Sequence, residues 1–431
     1  MYLASRPRSR LTETLRKAHR LVDPDTGVIK LLHEAPLAPD APRLFGFGSL
    51  CSDFAGLGFP SESDVSGSTS IVREQSMAAA IGEAVERYSA SYVPYERIHH
   101  SPADDLDARK VDPESVVLYS DAQYEGASFP FSRFEHDRPI GWTTGYSLGR
   151  REKTFVPAFA VYQPYLSERR EQPVIQQVTT GLACGNTLEE AVLSGLCEVV
   201  ERDASMLAWL RGRPLDRLDL EKLPAGLARA TLARFGSLRK HVVVLDATND
   251  LAIPSYIAVW NGPMRGQHRA IFCSCAKPDA DAAAAGALRE LAQCMMWVEG
   301  LIMSGRDLPD PLEQPISEIE EHVLWPLRHD TTDRYGFLLE GTGVVNLEIG
   351  SPAVSTALDS IDACMGRLLA RGLDAVAVDV TSPDIAEVGL HVARVVIPGA
   401  QPLYFGSGLE RLSARALAGA ANLNLHPHPF P

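Results

Sequence analysis

The chain has 431 residues, 45% of them hydrophobic, with 41 basic and 55 acidic side chains and a formal net charge of −14. That length supports a large core in one domain or two, and the acidic balance argues against nonspecific nucleic-acid binding. No apolar stretch reaches the roughly 18 residues of a membrane span, no signal peptide opens the chain, and the seven Cys show neither a disulfide framework nor paired C-x-x-C spacing; the expectation is a cytoplasmic protein with no membrane contact.

In chain order, Arg6 to Arg20 reads as a short basic helix or arm with most of its charges in water. The next element is a helix from about Ser76 to Ala90 that carries Glu83-Ala-Val-Glu86-Arg87. At 100° per residue, Met77, Ile81, Ala84, Val85 and Tyr88 share one side, and Glu83, Glu86 and Arg87 fall on the other. Alone, that is an ordinary amphipathic surface helix with solvated charges.

A second helix, from about Leu188 to Trp209, carries the same pattern as Glu198-Val-Val-Glu201-Arg202. Its polar face holds Ala191, Ser194, Glu198, Glu201, Arg202 and Ser205, with Glu190 at the edge. Small fillers are unusual on a solvated face and point to something packing there. Asp203 falls among the apolar positions and needs a buried partner. Two such helices facing each other would gather four carboxylates and two guanidiniums. Carboxylates so close repel unless cations lie between them, and an all-oxygen cluster suits Mg2+ together with substrate phosphate.

Further along, Val242 to Leu245 and Ala375 to Val380 read as strands ending in Asp, continuing as Asp246-Ala-Thr248 and Asp379-Val-Thr381. With the twin acidic helices, this echo suggests an internal duplication or pseudo-symmetry. Cys273 and Cys275 alternate with Phe272 and Ser274, as on one face of a strand. Asp281 to Trp297 reads as a buried helix, Ala-rich at its start, and Val392 to Ile397 as a strand stopped by Pro398-Gly399. The expected fold class is α/β (α+β), with helices on mixed β-sheets around an acidic site.

Several of these stretches together resemble the YcaO family: Glu74-Gln75 through Glu83-Ala-Val-Glu-Arg-Tyr-Ser89; Thr180-Gly-Leu-Ala-Cys-Gly-Asn-Thr-Leu-Glu-Glu-Ala191 running into Glu198-Val-Val-Glu-Arg-Asp-Ala204; Val378-Asp-Val-Thr-Ser-Pro-Asp384; and Val395-Val-Ile-Pro-Gly399. The resemblance covers residues 45–431, leaving 1–44 as an N-terminal basic arm. It implies an enzyme that uses ATP and Mg2+ to phosphorylate a backbone amide oxygen, so that phosphate leaves after a nucleophile adds. Carried over residue by residue, it implies metal ligands at Glu83, Glu86, Glu190, Glu198 and Glu201. Asn186, Glu190 and Glu290 would contact the nucleotide, with Gln293 completing a Glu-x-x-Gln, and Arg87 and Arg202 would act on phosphate. Arg suits that role because its planar fork grips two phosphate oxygens.

Three positions depart from the family pattern. Ser66-Gly-Ser-Thr69-Ser70 stands where members often carry Gly-Lys-Gly, Ala79 stands for a Ser, and Gly286 stands for an Arg. Pro427-His428-Pro429-Phe430-Pro431 resembles the tail of azoline-forming members. A run of alternating Pro favours extended polyproline II, which would deliver the carboxylate of Pro431 as a base or proton shuttle.

The resemblance therefore implies cyclodehydration of Cys, Ser or Thr in a ribosomally made precursor peptide. The region before residue 45 is too short for a leader-recognition domain, so a leader-binding partner protein is expected. There is no flavin motif, which leaves azole formation to a separate flavin dehydrogenase, and the choice between monomer and homodimer stays open. Two alternatives keep other readings in play: thioamide or macrocyclic amidine formation by the same activation, and a degenerate scaffold that binds precursor peptide without turning over ATP.

Overall fold

The structure, a computed structural model, describes residues 3–38, 41–53, 65–166, 171–328, 330–348, 356–419 and 422–431. Its strands in chain order are β1 (Ile29–Glu34), β2 (Phe45–Cys51), β3 (Val65–Ser70), β4 (His99–Ser101), β5 (Ile140–Ser147), β6 (Glu152–Pro157), β7 (Leu182–Gly185), β8 (Arg217–Leu218), β9 (Val242–Asp246), β10 (Ser255–Met264), β11 (Gln267–Ala276), β12 (Val344–Val345), β13 (Val376–Asp379) and β14 (His391–Val396). The longer helices are α1 (Leu11–Ala18), α2 (Arg73–Ser91), α3 (Leu188–Leu210), α4 (Ala280–Met303) and α5 (Ala357–Leu369).

Three sheets result. One has the order β1-β2-β3, one β11-β10-β9-β8-β12, and one β4-β5-β13-β14-β7 with β6 added on β5. Among the strand pairs of the described residues, only β8 with β12 is parallel. This is the mixed α/β architecture expected from the sequence, with the predicted helices and strands present; α4 runs six residues past the expected Trp297 and α1 starts five residues after Arg6. Side-chain caps set three of the long helices: Thr187 accepts from the Glu190 N–H ahead of α3, Asp279 from the Ala282 N–H ahead of α4, and Thr356 from the Asp359 N–H ahead of α5.

The six-stranded sheet explains how the acidic helices are held. Along β14, Val392 and Val396 face a core shared with Ile81, Ala84 and Val85 of α2. Ala393 and Val395 face the opposite core, shared with Ala191, Val192 and Leu196 of α3 and with Ile361 and Leu368 of α5. Alternation along the strand thus seats α2 on one face and α3 on the other. The two acidic helices do not pack on each other, as a simple facing-helix arrangement would require; the sheet lies between them, and they converge at its edge.

α3 then runs on into a second core. Its last turns, Met206 to Leu210, pack with Ile257, Val259 and Phe272 of the five-stranded sheet. The other face of that sheet, with Cys273 and Cys275, is covered by Ala283, Ala284, Ala287 and Leu288 of α4. Small residues there let the helix lie close on the strands. Asp203, fully buried, finds its partners across the turn of chain that joins these cores: Arg415 at 3.0 Å, Asn249 Nδ2 at 2.7 Å and the Gln401 N–H at 2.8 Å.

The described residues ahead of β2 are built into this architecture. β1 pairs antiparallel with β2, and the backbone N–H of Ser9 donates to Glu190 Oε1 at 2.8 Å. Helix α1 is shorter than the Arg6–Arg20 stretch; Arg6, Arg8, Arg10, Arg16 and Arg20 are exposed, whereas Lys17 is largely covered and pairs with Glu13 at 3.4 Å. No helix of the described residues is long and apolar enough to cross a membrane.

Candidate active site

β7 is an edge strand, so its outer N–H groups lack a strand partner. The acidic side chains take them. Cys184 N–H donates to Glu86 Oε1 at 2.7 Å, and Asn186 N–H to Glu190 Oε2 at 3.1 Å. Just before the strand, Gly181 N–H donates to Glu198 Oε2 at 3.1 Å. Gly181 has φ +87° and lies against the Val395 carbonyl, so no side chain fits there and the N–H is fixed in place. On the other side, Gly67 N–H of β3 donates to Glu83 Oε2 at 3.0 Å, and Arg87 reaches Glu83 Oε1 at 2.9 Å.

The row continues into the five-stranded sheet. Glu201 accepts from Ser274 Oγ at 2.9 Å and from Ala276 N–H at 3.3 Å, with Arg202 Nη1 at 3.6 Å. Carboxylate oxygens of Glu201 and Glu290 and the Cys275 sulfur lie within 4.8 Å of one another. Gln293, one turn from Glu290, donates to the Gly67 carbonyl at 2.9 Å and ties α4 to β3.

Beside this row opens a cavity of about 480 Å3, in the range of small-ligand sites. Glu83, Glu86, Asn186 and Glu190 line it, together with Gln75 and Ala79. Arg8, Ser9 and Thr14 close one side, and Asn186 Nδ2 donates to Thr14 Oγ1 at 2.7 Å.

The electrostatics are those of carboxylates crowded together and stripped of water. Loss of water pushes Glu86 up to about 8, with repulsion from Glu83 and Glu198 adding to it and the Cys184 N–H opposing. Glu198 is pushed up to about 7, mainly by burial, against the pull of Arg202. Glu290 is raised to about 8 by the protein around it and by Glu201; its side chain is open to water in the cleft, which offsets part of that push. Arg202 is raised, because Glu201, Glu198 and Glu290 outweigh its burial. Carboxyls that hold protons at neutral pH release them when a cation arrives.

The site also leaves polar atoms without protein partners: Arg87 Nε, Arg202 Nε, Arg289 Nε and Asn186 Oδ1 are buried and make no hydrogen bond. Buried polar atoms of this kind, three donors and one acceptor, are costly unless something completes them. Magnesium and a nucleotide would satisfy both sets, cations for the carboxylates and phosphate or base atoms for the orphans. The residues present fit that pair.

Each residue singled out in the sequence is found along this row except Pro431, which lies beyond it in the tail. That tail is docked. Phe430 and His428 are fully buried, and Phe430 meets Trp209 and Phe272 edge-on at 6.5 and 6.4 Å. Phe272 is two residues from Ser274, the hydroxyl that holds Glu201, so the tail ends near the acidic row.

Sequence reading missed two contributors. Arg8, Ser9 and Thr14 belong to a stretch assigned to solvent, where nothing local reveals that it lines a cavity. Lys277, just past β11, is the other: burial lowers it, but Cys275, Cys197, Glu201 and Glu290 outweigh that and hold it charged. A lone Lys following an alternating apolar strand was the available signal. Gly286 has its own cause. A Cβ there would meet Cys275 Sγ well inside contact distance and Cys275 Cβ at 3.0 Å, so the sulfur fills the space.

The family model "YcaO cyclodehydratase, ATP- and Mg2+-binding" matches residues 69–401. The chain belongs to the YcaO family. It is similar to an uncharacterized protein of Methanothermobacter thermautotrophicus, 33% identical over 187 residues, 43% of this chain and 45% of that one. Among solved structures it resembles a heterocyclase in complex with substrate and cofactor (TM-score 0.80, 25% identity, 100% of this chain and 59% of that one). It shares its fold with YcaO from Methanopyrus kandleri bound with AMPPCP and Mg2+ (TM-score 0.63, 21% identity, 91% and 92% covered). The chain thus spans about half the length of the curated relative and of the heterocyclase.

Proposed function

We propose that this chain is an ATP-dependent peptide cyclodehydratase that forms thiazoline or oxazoline rings from Cys, Ser or Thr of a ribosomally made precursor. The observation that carries the reading is the set of carboxylates held by backbone or hydroxyl donors of neighbouring strands, Glu86, Glu190 and Glu198 at and beside β7, Glu83 on β3 and Glu201 on β11, with Glu83, Glu86 and Glu190 lining a nucleotide-sized cavity. The likeness to a heterocyclase at TM-score 0.80 supports it.

In this reading the five glutamates hold Mg2+, and Asn186, Glu190 and Glu290 position the nucleotide. Bound ATP supplies the phosphoryl group that makes the amide oxygen a leaving group. Arg87 and Arg202 lie beside that transfer, where guanidiniums stabilise charge spreading over phosphate oxygens. In this reading the carboxylate of Pro431, at the end of the docked tail, is the base that takes the proton of the Cys, Ser or Thr side chain. A leader-binding protein completes the system, in keeping with the greater length of the heterocyclase this chain resembles. Ala79, facing the cavity, takes away one polar contact that a Ser would offer.

The test is the intact mass of a Cys-, Ser- or Thr-rich precursor after incubation with this protein, its candidate partner, ATP and Mg2+. Loss of one water per event, with a ring located by tandem spectra at those residues, is the expected result. Exchange of oxygen for sulfur would replace the proposal with thioamidation. Tight peptide binding without any ATP turnover would replace it with a scaffold role.

A further inference from the structure

A second, smaller cavity of about 80 Å3 shares no lining residue with the nucleotide-sized one. Ser115, Phe159, Gln177, Thr180, Arg394 and Arg411 are among the residues that line it. Thr180 precedes the glycine whose N–H holds Glu198, and Val199 beside Glu198 also forms part of the wall. The cavity therefore adjoins the acidic row without being part of it.

Its charge is unusual for a chain with a net charge of −14. Arg394 and Arg411 are 7% and 5% exposed. Their hydrogen bonds go to backbone carbonyls: Arg394 to Ala160 at 3.3 Å and Val178 at 2.6 Å, Arg411 to Val117 at 3.2 Å and to Val116. Among the described residues no carboxylate lies within ion-pair distance of either, and Arg394 Nη1 is buried with no partner at all. Burial pulls Arg394 down to about 10, with repulsion from Arg411 adding to it and the Glu198 carboxylate, beyond ion-pair distance, opposing. Two buried cations with one orphaned donor form a costly arrangement that an anion would relieve. The volume excludes a nucleotide and suits a group of a few atoms, and a guanidinium fork matches the paired oxygens of a carboxylate or phosphate.

We propose that this cavity is a binding site for a small oxyanion, either a carboxylate of a bound peptide or free phosphate, held by Arg394 and Arg411. The site stands independently of the cyclodehydratase reading, and its test contains neither ATP nor Mg2+, so the two fail separately. Calorimetry would follow titration of the full chain with inorganic phosphate, and with two short peptides identical except for a terminal carboxylate or carboxamide.

Saturable binding of phosphate assigns free phosphate as the occupant, and binding of the carboxylate peptide at least tenfold tighter than the amide assigns a peptide carboxylate. Arg394→Gln should weaken either at least tenfold. Because that variant also loosens two backbone carbonyls, Thr180→Glu provides the second arm: it keeps both arginines and fills the cavity with its own carboxylate, so binding should fall at least tenfold with the fold intact by circular dichroism. Absence of binding by all probes, or binding unchanged in Thr180→Glu, overturns the site.

Discussion

Glu83 accepts the backbone N–H of Gly67 at 3.0 Å, sixteen residues back on the strand that leads into its own helix. Glu198 does the same with Gly181 at 3.1 Å, seventeen residues back. Both acidic helices are thus latched to their preceding strand by the first Glu of the Glu-x-x-Glu pair. The carboxylates have structural partners already, which fixes their positions in the absence of any cation. That preorganisation is what a metal-dependent phosphoryl transfer site requires.

The two glutamates that follow should behave differently on neutralisation. Glu86 is pushed up to about 8, so between its ordinary value of 4.5 and 8 the folded protein holds a proton that the unfolded chain has lost. Stability therefore declines as pH rises through that window, and Glu86→Gln should raise the unfolding midpoint of the ligand-free protein at pH 8 and leave it nearly unchanged at pH 4.5. Glu201→Gln turns an amide donor toward Ser274 or the Ala276 N–H and should lower stability by about 1–3 kcal/mol. Both should cut ATP turnover at least a hundredfold. Thermal melts at the two pH values separate the cases, and normal turnover in either would sink the metal assignment.

Nucleotide binding should itself depend on pH. Glu86 and Glu198 are raised to about 8 and 7, so in the proposed reading each gives up a proton to hold Mg2+. Affinity for a Mg2+–nucleotide should rise at least tenfold from about pH 6 to pH 9, with proton release measurable by calorimetry in buffers of different ionisation enthalpy. A flat profile would contradict the placement of these groups as ligands.

Docking of the tail should be acid-sensitive. His322 accepts the Gly406 N–H on Nε2 at 3.0 Å and donates from Nδ1 to the His428 carbonyl at 2.7 Å, an arrangement only the neutral ring can make. Burial lowers His322 from 6.5 to about 4 and lowers His428 as well. The unfolded chain binds these protons first, so stability present above 6.5 is lost as pH falls toward 4. Trp209 fluorescence should report the loss, since its indole N–H donates to the His426 carbonyl at 2.8 Å. An unchanged signal down to pH 4 would exclude this coupling.

Tail packing and tail chemistry can be separated. Phe430→Ala removes a fully buried ring and should cost about 3–5 kcal/mol in chemical denaturation. Deleting Pro431 alone leaves that ring in place and should leave the denaturation midpoint nearly unchanged while slowing cyclisation at least tenfold. Unaltered cyclisation after the deletion would remove Pro431 from the catalytic set.

Gly286 offers a test of packing in α4. Gly→Ala inside a helix ordinarily stabilises by about 1 kcal/mol. Here the new methyl would collide with Cys275, so Gly286→Ala should destabilise, and Cys275→Gly should rescue it. Additive effects in the double-mutant cycle would show that the two side chains do not compete for the same space.

The sequence determined more about the site than about its surroundings. Helical periodicity placed Glu83, Glu86, Glu198 and Glu201 on polar faces, small fillers marked those faces as packed, and Asp203 announced a buried partner that proves to be Arg415. These are local properties, set by side-chain spacing within one element. What only tertiary structure decided is how the elements meet. The acidic helices occupy opposite faces of a sheet and converge on the unpaired edge of β7, because strand alternation sends Val392 and Ala393 into different cores. Arg8, Ser9 and Thr14 join the cavity, the tail buries Phe430, and Arg394 and Arg411 come to line one small cavity, all through contacts between residues far apart in the chain. Such contacts depend on which surfaces the whole fold must bury, and no spacing rule within a single element encodes that.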